Sequence, residues 1–112
     1  MAHIAITPAS GRVIVRWRGA VVVDTTRALE LREGSYSPVL YVPREDADFK
    51  LLAASPRHTT CPWKGEASYF NLSDGEASAD NAVWSYETPK AGVEAIAGHL
   101  AFYPDKVEIE RA

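Results

Sequence analysis

Residues 12–25, "RVIVRWRGAVVVDT", decide how the chain folds. Val13, Val15 and Trp17 alternate with Arg12, Ile14 and Arg16, the two-residue period of a strand with one buried face. Arg18-Gly19 breaks the run, and "GAVVVDT" resumes it, so a hairpin is expected at that corner. The same pattern recurs on either side. "RALELRE" sets Leu29 and Leu31 opposite Glu30 and Arg32, and "PVLYV" stops at Pro43, which has no N–H to give to a ladder. Beyond the acidic turn "PREDADF" come "KLLAAS", "EASYFNL", a turn at Ser73-Asp74-Gly75, "ADNAVWSYE" and finally "KVEIER". Many short strands predict a mainly β protein of antiparallel sheets.

One helix is expected in the C-terminal half. Thr88 has the chemistry of an N-cap, and Pro89 follows where a missing N–H costs nothing. Val93, Ile96, Ala97 and Leu100 repeat at i, i+3, i+4 and i+7, an apolar stripe that would pack on a sheet face. Gly98 would end the helix ahead of Pro104.

The 112 residues, 46% apolar and 24% charged, suit a single domain spanning 1–112 with its own core. A net charge of −3, with the basic residues dispersed, argues against nucleic acid as a partner, because phosphate binding needs clustered Lys and Arg. No apolar run is long enough for a membrane span, and "MAHIAITPAS" lacks the pattern of a secretory signal, so a cytosolic location is expected. One cysteine allows neither an internal disulfide nor a zinc site built from thiolates. The histidines, His3, His58 and His99, are far apart, and no phosphate loop or Ser–His–Asp order occurs, so no metal or cofactor is expected.

Chemistry concentrates in "RHTTCPWKGEASYF", residues 57–70. Pro62 forces Cys61 into an extended backbone. Lys64 or a protonated His58 near its sulfur would favour the thiolate, whereas a lone buried cysteine is otherwise a small apolar residue. Lys64 could hold an anionic group as a point charge, react as an amine if its pKa falls, or simply be a solvated turn residue. Trp63 could shield the ammonium or stack on a flat ligand. The aromatic set, Tyr36, Tyr41, Trp63, Tyr69, Phe70, Trp84, Tyr86, Phe102 and Tyr103, fills the core, with some polar-tipped members lining a cavity. Trp84 and Tyr86 share a strand face by their spacing.

Taken together, "YVPRED", "HTTCPWKGEASY", "NAVWSYETP" and "IAGHLAFYPDKVEI" resemble a small bacterial family, domain of unknown function 427, also labelled nucleotidyltransferase-like. The resemblance runs from about Arg12 to Glu110, and its most specific elements are CPWKG at Cys61–Gly65 and the pair Trp84 and Tyr86. It implies a fold similar to the β-tent of methionine-R-sulfoxide reductases and of cereblon's ligand-binding domain. It also lends weight to Glu33 and Asp46, which composition alone leaves as solvated carboxylates. The four-cysteine zinc site of many β-tents is missing, and so are the resolving thiol of a sulfoxide reductase and the paired acidic metal ligands of a nucleotidyltransferase.

Three functional readings stand side by side. The first is a domain binding a small polar or anionic molecule beside CPWKG, with Lys64, Trp63, Trp84, Tyr86, Tyr41, Glu33 and Asp46 as ligand-binding residues. The second is an enzyme with Cys61 as nucleophile, tuned by Lys64 or His58. The third is a protein-interaction module without catalysis.

Overall fold

A computed structural model describes residues 3–112. Ten strands make three antiparallel sheets, joined by turns and three short 3-10 segments. The first sheet has the order β1 (Ile4–Pro8), β4 (Leu29–Glu33), β5 (Val39–Tyr41). The second runs β10 (Glu108–Arg111), β2 (Val13–Trp17), β3 (Ala20–Thr25). The third and largest runs β6 (Leu52–Cys61), β7 (Gly65–Ser73), β8 (Ser78–Ser85), β9 (Ala101–Phe102).

The hairpin read from residues 12–25 is β2–β3. Arg18 and Gly19 both take positive φ, 51° and 83°, as a two-residue turn that follows the strand twist requires. Glycine accepts that conformation freely. Arg18 is also tied by its Nε to Asp74 Oδ2 at 2.9 Å, which anchors the β2–β3 turn to the one after β7.

Strand alternation sorts the largest sheet into two faces. Phe70, Val83 and Phe102 are cross-strand neighbours and join one core cluster with Val13, Val15, Val22 and Val23 of the second sheet. Tyr69, Trp84 and Ala101 make the adjacent row and join the other cluster, with Leu31 and Tyr41 of the first sheet. The sheet is therefore buried on both sides, and each side has its own partner sheet.

The expected helix is absent. Residues 88–100 contain one 3-10 turn, Glu94–Ile96, and no α-helix. Gly92 and Gly98 take φ of 98° and 70°, left-handed values that stop a right-handed helix on both sides and leave no room for one between them. Val93, Ile96 and Leu100 are nevertheless buried, at 3%, 0% and 0% exposure. Leu100 exchanges two backbone hydrogen bonds of 2.8 Å with Val42. The apolar spacing marks burial, produced here by successive turns. The N-terminal strand β1, with no alternating pattern of its own in the sequence reading, pairs along its whole length with β4.

Candidate functional site: a tyrosine-lined cavity

CPWKG is the turn of the β6–β7 hairpin. Cys61 and Gly65 face each other across the ladder, and Pro62, Trp63 and Lys64 close the loop. The turn is braced from outside, since Lys90 gives its Nζ to the Pro62 carbonyl at 3.0 Å and its N–H to the Lys64 carbonyl at 3.0 Å. Gly65 has φ of 113°, and a side chain there would lie 3.6 Å from the Thr88 carbonyl and the Lys90 nitrogen.

From this corner Lys64 reaches back to the first sheet. Its Nζ donates to Glu33 Oε1 at 2.7 Å and lies 5.9 Å from the centre of the Tyr86 ring. The two charged side chains are only 12% and 19% exposed. Both line a cavity of about 290 Å³ together with Leu31, Val39, Tyr36, Ser37, Tyr41, Tyr69, Trp84, Tyr86 and Tyr103. Trp84 organises one wall. It donates its indole N–H to the Tyr41 hydroxyl at 3.3 Å, meets the Tyr41 ring edge-on at 6.4 Å, and lies 4.6 Å from the Tyr103 ring.

Electrostatics define the protonation of these groups. Burial pulls the Lys64 pKa down, but the hydrogen bond it gives to Glu33 and the nearby Cys61, with the Glu33 charge, outweigh it and leave the value raised. Lys64 is thus a fixed ammonium, suited to point-charge recognition and unsuited to attack as an amine. Burial pushes the Tyr41 phenol up, opposed in part by the Trp84 hydrogen bond and the Lys64 charge. Burial, then the neighbouring Tyr41 and Cys61, raises Tyr86 further. Both phenols stay neutral, each able to donate and to accept. Tyr69 is different: burial raises it, but hydrogen bonds from Thr59, Tyr103 and Arg57 bring it below the ordinary tyrosine value.

Of the residues singled out in the sequence, Lys64, Glu33, Tyr41, Trp84 and Tyr86 come together in this cavity. The others go elsewhere. Trp63 is 41% exposed on the turn and lines none of the cavity. Asp46 sits in the 3-10 turn Arg44–Asp46, accepts from Thr25 Oγ1 at 2.7 Å and pairs with Arg27 at 3.2 Å. That closes the end of β3, and the carboxylate is spent on structure. Cys61 is half-buried and packs against the second core cluster, outside the cavity lining.

His58 and Cys61 lie three residues apart on regular strand, paired with Ser68 and Gly65, so their side chains leave opposite faces of the sheet. His58 is exposed and has Glu66 at 3.8 Å as its neighbour. Tyr36, Tyr69 and Tyr103 line the cavity without having been separated from the general aromatic set in the sequence. Tyr36 and Ser37 arrive through the β4–β5 loop, and no local signal announces that. Among the described residues, no group of three His, Cys, Asp or Glu side chains is gathered where it could hold a metal ion.

The family model for the domain of unknown function DUF427 matches residues 5–112, and the chain belongs to that family. No curated protein matches the chain.

Proposed function

We propose that the protein binds a small, flat, polar molecule in the cavity between the CPWKG turn and the β4–β5 loop. The three antiparallel sheets are read with this as a β-tent working in the cytosol, its cavity under the tent. The carrying observation is the mostly buried Lys64–Glu33 pair, 2.7 Å apart, on the wall of a hollow whose other lining is chiefly tyrosine and one indole. Convergent polar groups in an aromatic concavity are the usual make-up of a small-molecule site.

The pair also limits the ligand. Glu33 already neutralises Lys64, so a simple anion entering beside them would meet a carboxylate as well as an ammonium. A neutral or zwitterionic head bearing both an acceptor and a donor satisfies both groups at once. Amides, ureas and phenols are therefore the classes to screen by thermal shift, with binding located by chemical-shift changes. At a hundredfold excess over Kd a bound ligand adds about 2.7 kcal/mol of stability, readily measured. Positive compounds should shift the Tyr86 and Trp84 side-chain signals and lose their effect in a Lys64→Met, Glu33→Leu double variant. Compounds whose thermal shift survives in that variant would refute the assignment.

A further inference from the structure

A second hollow adjoins the first. It measures about 220 Å³, and its walls include Val13, Val15, Leu40, Val42, Phe102 and Ile109. Ser37, Val39 and Trp84 line both hollows, so the two meet at the start of β5 and the Trp84 ring. Four of its wall residues are core positions, Val13, Val15, Val42 and Phe102, each under 10% exposed. Yet the space between them is larger than a 150 Å³ apolar cavity that accommodates benzene. The tyrosine-lined hollow, at about 290 Å³, falls just short of the roughly 300 Å³ at which ligand pockets begin. A ligand that reached both hollows would have more room than either offers alone.

We infer that the apolar hollow receives a hydrocarbon arm of the same small molecule whose polar head sits among Lys64, Glu33 and the tyrosines. The ligand class is then amphipathic, a hydrogen-bonding head carrying an alkyl or aryl substituent about the size of a benzene ring. This rests on the proposed polar site. The shared residues favour a single ligand: Trp84 presents its N–H side to Tyr41 while also walling the apolar space, so head and arm would meet at one indole. The chemistry of the two linings is complementary in the same sense, with charge and phenols on one side and aliphatic carbon on the other.

Calorimetric titration with phenol, 4-ethylphenol and 4-butylphenol tests the inference. Affinity should rise roughly fourfold for each added methylene, the value of burying one such group. Ile109 is 38% exposed and its strand pairs it with Val15, so Ile109→Trp would plug the apolar hollow from its rim without disturbing the core. That variant should abolish the chain-length gain and leave phenol affinity unchanged. In a separate measurement, benzene should shift the methyl signals of Val13, Val15 and Val42, whatever happens at the polar head.

Phenol binding that ignores chain length, or a gain that persists in Ile109→Trp, overturns the inference while leaving the polar site standing. Benzene that leaves those methyls unmoved overturns it as well. If benzene enters but no phenol binds, the polar-site reading falls, and with it the idea that one molecule spans both hollows.

Discussion

Removing one partner of the Lys64–Glu33 pair should cost far more than removing a surface ion pair. With the side chains 12% and 19% exposed, Glu33→Leu leaves an ammonium with little access to water, and Lys64→Met does the same to a carboxylate. Breaking such a pair typically costs roughly 3–5 kcal/mol, and the residual exposure places this one at about 3 kcal/mol. With a urea slope of roughly 1.5 kcal/mol per molar for a chain of this size, the unfolding midpoint should fall by about 2 M in each single variant. The double variant Lys64→Met, Glu33→Leu leaves no orphan charge and should recover most of that loss. Urea unfolding followed by tryptophan fluorescence reads all four proteins. Single variants that each lose less than about 1 kcal/mol, with additive effects in the double variant, would place the pair in solvent like an ordinary surface bridge. The proposed site would then lose its charged element. The pH dependence has a fixed sign. Because the Lys64 pKa is raised above its ordinary 10.5, its stabilising contribution is complete below that value and disappears as pH climbs through the folded-state pKa. Tyr41 and Tyr86, also raised, add to the same alkaline loss. The alkaline limb should become shallower in Lys64→Met, and an unchanged limb contradicts the assignment.

Gly11→Ala should destabilise by more than about 2 kcal/mol, since left-handed backbone alone costs roughly 1–2 kcal/mol for a non-glycine residue. Here φ is 79°, and a Cβ would also run into the Ala112 carbonyl oxygen. Amide exchange at Arg12 and Ala112, which hydrogen-bond each other at 3.1 and 2.9 Å, should accelerate, and unchanged protection contradicts this. Asp74 accepts the N–H groups of Ala77 and Glu76 and the Arg18 guanidinium, which hold its carboxyl at about 2. Its contribution is present above the ordinary value of 3.8 and fades as pH falls towards 2, so Asp74→Asn should flatten the acid limb of a stability profile, and carboxyl NMR titrating near 4 would refute the geometry. Cys61, half-buried against the second core cluster, should be alkylated several-fold more slowly in native protein than in urea. Equal rates would show the thiol free of the core.

The elements legible in the sequence are those whose information is local. Val13, Val15 and Trp17 on one side and the Arg18-Gly19 corner suffice for the β2–β3 hairpin, because alternation and turn chemistry act over a few residues. Even here the pattern is imperfect, as Ile14, on the face read as outward, is 9% exposed. The helix failed for a related reason. Spacings of three and four between Val93, Ile96, Ala97 and Leu100 report which residues face inward, and a helix is only one path that buries them. Gly92 and Gly98, both left-handed, chose another. Gly98 closes the stripe, and Gly92, directly ahead of Val93, already turns the backbone out of the helical region.

The cavity was legible in composition and hidden in geometry. Lys64 and Glu33 are 31 residues apart, Tyr41 and Trp84 43, and nothing short of the strand order β1-β4-β5 facing β6-β7-β8-β9 brings them together. Parity explains which residues of the CPWKG region can reach it. Thr59, Cys61, Ala67 and Tyr69 leave the inner face of the β6–β7 ladder, whereas His58 and Thr60 leave the outer one, as their burial shows. A turn of three residues between Cys61 and Gly65 then turns Lys64 inward to Glu33 and leaves Trp63 exposed. The odd spacing of His58 and Cys61 thus bears directly on the chemistry. A histidine that must take a proton from that thiol would have to cross the sheet, so a Cys61 enzyme would need its base from the cavity side, where Lys64 is held charged and the Tyr41 and Tyr86 phenols are held neutral. Groups fixed in those protonation states are poor at accepting a proton and good at offering hydrogen bonds, the property on which the proposed recognition of a polar head depends.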